Sequence, residues 1–201
     1  MEYDEVYANE QLRRSKHPLR RAIKHFYLNN VLRHVGGPSI DFGCGAGQLL
    51  RRMPVGSVGF ELNPHLIRIH QAAGLDARLY DIEDELQFQM LQQGQYRTFV
   101  AAHVLEHFED SEQALRSMLR SCKRLGVERV IIVVPGAKGY ASDATHRTFV
   151  NLSYIRDHGL LACEGYAVSK SSFFPGNWEW LGKYYVFHEL MIVYDLQAPV
   201  H

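Results

Sequence analysis

The chain is poor in several features that would set it apart from an ordinary globular domain. Its 201 residues hold three cysteines, Cys44, Cys122 and Cys163, an odd and scattered set with no C-x-x-C pair. That argues against a disulfide scaffold or a structural zinc ribbon and suits a reducing cytoplasm. There is no run of eighteen apolar residues, so no transmembrane helix is expected. The first ten residues, MEYDEVYANE, are acidic and polar and lack a signal-peptide apolar region, so a cytoplasmic location is expected. Neither sign of charge dominates, with 22 basic and 22 acidic residues, so net charge speaks neither for nor against nucleic acid. Internal repeats and low-complexity tracts are absent. The length fits one domain with at most a small appendage, and an apolar content of 46% can fill a large core.

Residues 11–35 carry seven basic side chains and no acid, and Gly36-Gly37 stops them. Leu19, Ile23, Phe26, Leu28 and Val31 give this segment a rough helical apolar pattern. Strand-like and helix-like segments then alternate. Ser57–Glu61, Ala77–Asp81 and Thr98–His103 read as strands; Pro64–Ala73, Glu83–Gln93 and a segment from Asp110-Ser111 to about Leu125 read as helices. Val130 to Val134 are five consecutive β-branched residues, the pattern of a strand buried on both faces of a parallel sheet. After a short helix at Asn151–Gly159, Tyr166–Phe174 and Tyr184–Tyr194 read as strands whose connection has no room for a crossover helix. They should be antiparallel. The expected architecture is α/β: a Rossmann-like, seven-stranded, mostly parallel sheet with a C-terminal antiparallel hairpin and helices on both faces.

The sharpest local signal is Ile40-Asp41-Phe42-Gly43-Cys44-Gly45-Ala46-Gly47, followed by a helix-like stretch from Gln48 to Met53. Gly43, Gly45 and Gly47 let the chain turn and bring backbone N–H groups up to a ligand. The dinucleotide pattern G-x-G-x-x-G would require glycine at 48, where Gln48 stands, so the loop leans towards another adenosine ligand. Glu61 ends the second strand, where a carboxylate can accept hydrogen bonds from both ribose hydroxyls.

Five motifs in order, Asp41 to Gly47, Gly59-Phe-Glu61-Leu-Asn-Pro64, Tyr80-Asp81-Ile82, His103-Val-Leu-Glu-His107 and Asp143-Ala-Thr-His146-Arg-Thr-Phe149, resemble the class I S-adenosylmethionine-dependent methyltransferases of the small-molecule type. The resemblance covers residues 38 to 195 and divides the chain into an N-terminal helical lid or substrate-side region, 1–36, and a cofactor-binding domain, 37–201. It implies S-adenosyl-L-methionine as cofactor and methyl transfer to an O-, N- or C-nucleophile of a small acceptor. It also implies cofactor contacts at Asp41, Gly43, Cys44, Gly45, Gly47, Glu61, Leu62, Asp81, Ile82, His103 and Val104. In this reading Glu61 holds the ribose, Leu62 packs on the adenine, Asp81 meets the adenine amino group and Asp41 approaches the methionine end. Asp81 also reads as a helix cap, and Cys44 as a small side chain filling a tight space.

His146, and with it His107, are the candidate catalytic residues, because a histidine beside the acceptor can take its proton. Each also reads as a structural residue that orders its loop. His103 and His107 stand four apart with Glu106 between them, a spacing compatible with a metal. The resembled family commonly carries Leu-Glu-His without one, so none is expected. Trp178 and Trp180 could cap an apolar acceptor or make a homodimer contact through the aromatic hairpin. The rival functions are an RNA methyltransferase, a non-catalytic cofactor-binding module and an NAD-dependent oxidoreductase. No Asn-Pro-Pro-Tyr-like segment follows the fourth strand, which disfavours N-methylation of bases, though nucleic acid remains open.

Overall fold

The computed structural model describes Glu5, Arg13 and residues 18–198. Arg14 and Lys16 of the basic segment lie outside the described residues, as do the side chains of Leu19 and Ile23. Helix α1 (Pro18–Leu32) leads into β1 (Ser39–Phe42), β2 (Val58–Glu61), α2 (Pro64–Ala72), β3 (Ala77–Leu79) and β4 (Thr98–Ala102). Then follow α3 (Ser111–Leu125), β5 (Arg129–Pro135), α4 (Ala137–Ala141), α5 (Leu152–Asp157), β6 (Ala162–Cys163), β7 (Tyr166–Phe174) and β8 (Glu189–Leu196). The sheet runs β3-β2-β1-β4-β5-β8-β7-β6. Its first five strands are parallel, and β8 enters antiparallel against β5, pairing Ile131 with Val193 and Pro135 with Glu189. The eighth strand, beyond the seven expected, is the two-residue β6 at the edge beside β7.

The β-branched run of β5 does what its composition requires. Val130, Ile132 and Val134 share one core with Leu115, Met118 and Leu119 of α3 and Ile155 of α5. Ile131 and Val133 share the other with Tyr27, Leu28 and Val31 of α1 and Ile67 of α2. Helices therefore cover both faces. On α1 the buried ring is Tyr27, whereas Phe26, expected inside, is 64% exposed. Capping defines the two helices between parallel strands. Asn63 accepts from His65 and Leu66 N–H ahead of α2, with Pro64 as its first residue; Asp110 accepts from Gln113 N–H ahead of α3, which Gly126 ends in the left-handed region.

Two expected helices are absent. Gln48 to Met53 forms one 3₁₀ turn, Leu50–Arg52, because Pro54 stops it at once. Any attraction of the glycine loop for a carboxylate therefore has no long helix behind it. Glu83–Gln93 is a 3₁₀ turn, Ile82–Asp84, followed by an irregular segment. There the buried Asp84 carboxylate accepts from Phe88 and Gln89 N–H, donors that a helix would have used itself. Leu86, Phe88 and Leu91 drop into the core instead. The last strand starts at Glu189 and not at Tyr184. Residues Glu179–Lys183 form a 3₁₀ turn, and Gly136 N–H donates to His188 O at 2.7 Å to hold the connection against the end of β5.

Candidate functional site

Because β1, β2, β4 and β5 are parallel, the loops leaving them meet at one edge of the sheet, where ligands of such sheets collect. The antiparallel β8 begins at that edge with Glu189. One wall of the site is backbone. Gly43 and Cys44 N–H both donate to Phe60 O at 2.9 Å, folding the glycine loop over the end of β2. Gly43 has φ +74°, and a Cβ there would lie 2.4 Å from Val104 Cγ2, so glycine is required for this approach. Gly47 abuts His70, whose Nε2 donates to Gly45 O at 2.7 Å.

Glu61 ties this wall together. Its Oε2 accepts from Gly45 N–H at 2.8 Å, and its Oε1 accepts from Leu62 and Asn63 N–H at 2.9 and 3.0 Å. A carboxylate has about four acceptor positions, so these three bonds leave room for one more donor. Asp41, 2% exposed, keeps Oδ2 without a hydrogen bond. Burial pushes its carboxyl up to about 7, against smaller downward pulls from the Leu50 N–H and Lys24. Cys44 is buried, and its Sγ would meet a Cβ on Gly59 at 2.9 Å; burial and then the Asp41 and Glu61 charges push its thiol up. It is a tight spacer and not a nucleophile. Asp81 is exposed and caps the following turn, accepting from Glu83 N–H at 3.0 Å, while Ile82 is 67% exposed.

The facing wall is made of side chains. His103 leaves β4 with φ +58°, unusual for a non-glycine residue. This turn sets its ring between two acids, with Nε2 3.0 Å from Glu189 Oε1 and Nδ1 3.3 Å from Glu106 Oε1. Burial alone would lower its affinity for a proton, but Glu189 and Glu106 outweigh that and raise it to about 10, so the ring is an imidazolium. Tyr27 of α1 packs edge-on against it at 6.0 Å. Burial, then the charges of Glu189, Asp41 and Glu106, hold the Tyr27 phenol well above its usual range, so it stays a neutral hydroxyl.

His146 donates from Nδ1 to Tyr140 O at 2.8 Å and stacks on the Tyr140 ring at 5.4 Å. Its Nε2 faces Glu106 Oε1 at 3.9 Å, and the exposed His107 ring stands 4.9 Å away. Glu106, His107 and His146 thus form one cluster. The backbone bond shows His146 ordering its loop, while the other nitrogen remains directed at the cluster. Trp178 and Trp180 are 61% and 59% exposed, on the connection outside this cluster.

Sequence reasoning passed over Tyr27, His70 and Glu189. Tyr27 was hidden by an equally plausible neighbour, Phe26. His70 lies on the apolar face of α2 with Leu66 and Ile67, a readable signal. Glu189 is an acid opening an otherwise buried strand, but its partner His103 is distant in sequence. A cleft of about 280 Å³ at the opposite sheet edge is lined by Arg97, Glu128, Arg129 and Asp195. Those residues pair with one another, Arg97 with Glu128 and Arg129 with Asp195, so their charges offset.

A family model described as a methyltransferase domain matches residues 11–169. No curated protein matches the chain in sequence. Solved structures share its fold. The methyltransferase in a Haloferax volcanii complex with the Trm112 activator is 13% identical, with TM-score 0.67 and coverage of 98% of this chain and 97% of that one. Magnesium protoporphyrin IX methyltransferase from Synechocystis PCC 6803, with bound S-adenosylhomocysteine, is 14% identical, with TM-score 0.65 and coverage of 98% and 96%. A SAM-dependent methyltransferase from Archaeoglobus fulgidus is 16% identical, with TM-score 0.62 and coverage of 85% and 93%. The glycine loop, the strand-end acid and the buried Asp41 with its free oxygen suit such a cofactor's hydroxyls and cationic end. The chain belongs to the methyltransferase domain family and is an S-adenosylmethionine-dependent methyltransferase.

Proposed function

We propose that the enzyme methylates a small molecule bound between the glycine wall and the histidine wall. The observation that carries this reading is the position of α1. Tyr27, Leu28 and Val31 seat this helix in the core, and the Tyr27 ring meets His103 edge-on at 6.0 Å. In this reading the helix borders the acceptor side beside His103, which favours a compact acceptor over a long polymer. Residues 1–36 then act as the substrate-side region and 37–201 as the cofactor domain. The cofactor supplies an activated methyl group on sulfur. The protein binds and orients both partners and excludes water.

In this reading Gly43, Gly45 and Gly47 give backbone contacts, Glu61 takes a ribose hydroxyl at its remaining acceptor position, and Asp41 faces the positively charged methionine end. Leu62, Asp81, Ile82, His103, Val104 and Cys44 complete the cofactor surroundings. His107 and His146 line the acceptor side, where a nitrogen free of its proton can receive one from an acceptor hydroxyl or amine. The exposed Trp178, Trp180 and Tyr184 supply a surface for a second copy of the chain. Among the described residues, no helix is long and apolar enough to cross a membrane. The three cysteines are free, which supports a cytoplasmic setting.

The test is a transfer assay with methyl-labelled cofactor against small-molecule, RNA and protein fractions, alongside heat-stabilisation by S-adenosylhomocysteine and by NADH. Label is expected in the small-molecule fraction, with stabilisation by the adenosine thioether alone. Label confined to RNA or protein, or in no fraction despite tight cofactor binding, would overturn the acceptor assignment.

A further inference from the structure

We propose that Glu106, His107 and His146 hold a divalent transition-metal ion at the acceptor edge of the site. Three observations point there independently. First, the candidate ligand atoms of these residues all lie within 4.8 Å of one another. A tetrahedral site with bonds of about 2.0–2.2 Å sets neighbouring ligand atoms about 3.4 Å apart. Small side-chain rotations, the exposed His107 moving most freely, would close the difference.

Second, the Glu106 side chain is wholly buried, yet neither oxygen takes a hydrogen bond of normal geometry. His103, its nearest neighbour, is shared with Glu189, so two carboxylates face one imidazole. A buried carboxylate left in this condition is costly, and a cation beside it removes the cost.

Third, the hydrogen bonds of both histidines favour the tautomer that leaves Nε2 without a proton. Carbonyl oxygens only accept, so His146 Nδ1 carries the proton given to Tyr140 O at 2.8 Å, and His107 Nδ1 the proton given to Thr145 O at 3.3 Å. Thr145 Oγ1 also lies 3.2 Å from His107 Nδ1 and donates its own proton to Asp143 Oδ1 at 2.7 Å. The Nε2 lone pair of each ring is left to coordinate, and a ring that holds the ion through Nε2 no longer takes the acceptor's proton. Such outer hydrogen bonds orient metal-bound histidines.

Two imidazoles and one carboxylate suit zinc, manganese, cobalt or ferrous iron better than magnesium or calcium. Three protein ligands leave coordination open for an oxygen of the acceptor, which would make the acceptor an oxygen-bearing small molecule. Only that last step rests on the function proposed above. No metal is expected from the sequence, and the His103 and His107 spacing noted there differs from this set, because His103 is engaged by Glu189 and the third ligand comes from the loop after β5.

The experiment titrates Co²⁺ and Mg²⁺ into chelator-treated full-length protein, reading visible Co²⁺ bands and heat stability. One Co²⁺ per chain is expected, bound at least about tenfold more tightly than Mg²⁺. His107→Ala should weaken Co²⁺ binding by about 100-fold or more and Thr145→Val by about tenfold, while His25→Ala leaves it unchanged. Both His107 and Thr145 are near the surface, so folding should survive, as circular dichroism would verify. Millimolar Co²⁺ affinity, or equal affinity in wild type and His107→Ala, overturns the proposal. S-adenosylhomocysteine binding measured on the same metal-free protein tests the cofactor reading separately.

Discussion

The two walls of the site are built from different materials. The glycine wall is backbone closed upon itself: Gly43, Cys44 and Gly45 N–H end on Phe60 O and Glu61, and Glu61 in turn holds Leu62 and Asn63. The histidine wall is side chain on side chain, with His103 between Glu106 and Glu189, and His146 between Tyr140 and His107. A backbone wall depends on shape and tolerates few changes. It would serve any cofactor of the same outline. A side-chain wall depends on the chemistry of each group, and in the function proposed above it is the side that meets the acceptor. Each wall also keeps buried carboxyl oxygen without a hydrogen bond, Asp41 on the first and both Glu106 and Glu189 on the second.

The strongest way to break the comparison is Gly43→Ala. The new methyl would sit 2.4 Å from Val104 Cγ2 at φ +74°. Backbone strain costs about 1–3 kcal/mol and the overlap a similar amount. Urea unfolding should show a loss of about 4 kcal/mol, and calorimetry no measurable cofactor binding. Gly36→Ala is the control, since nothing lies within 4 Å and its backbone is unstrained. If Gly43→Ala kept wild-type stability and affinity, the glycine wall would not be the rigid element described.

Next in size is the pH response of Asp41. Its carboxyl titrates near 7 in the folded protein against 3.8 for the free side chain, so the native state holds a proton that the unfolded chain releases. The stability this gives is fully present below about pH 3.8 and is lost as pH rises to about 7. Between pH 5 and 8 the loss is up to about 3 kcal/mol, from two units at about 1.4 kcal/mol each. Asp41→Asn should abolish that component, so its stability relative to wild type rises with pH in urea unfolding. Parallel pH profiles for the two proteins would show that Asp41 is ionised in the free enzyme.

What could be read from the chain follows the same division. Glycines, the strand-end acid and the β-branched run of β5 act through neighbours a few residues away or through a repeating pattern, and these were readable as a mostly parallel sheet with an antiparallel end; the strand order was not. The short turns at Leu50–Arg52 and Ile82–Asp84 were not legible, because helix-like composition was overridden by Pro54 and by the Asp84 side chain capturing backbone donors. The histidine wall was only half visible. His107 and His146 were singled out separately, but their meeting at Glu106 depends on how the loop after β5 folds back, with Arg147 and Thr148 N–H both donating to Glu106 O. That contact has no signature in spacing. The engagement of His103 by Glu189 was hidden for the same reason.

The finest test asks whether Glu61 belongs to the ligand or only to the wall. As a wall residue it ends three backbone donors, and Glu61→Gln replaces one acceptor oxygen with a donor that cannot receive the Gly45 N–H. Hydrogen bonds to a charged group are worth about 1.5–3 kcal/mol, part of which the remaining amide oxygen retains. The variant should therefore lose about 1–2 kcal/mol of stability and bind S-adenosylhomocysteine about tenfold more weakly. Weaker binding alone does not separate the two roles, because a loosened loop would cause it as well. A ligand lacking both ribose hydroxyls does separate them. If Glu61 accepts from the ribose, wild type prefers the intact ligand about tenfold more strongly than Glu61→Gln does, a coupling visible in a double cycle of protein and ligand changes. Equal preference in both proteins would confine Glu61 to holding the glycine loop, and the ribose would then need another partner on the same edge.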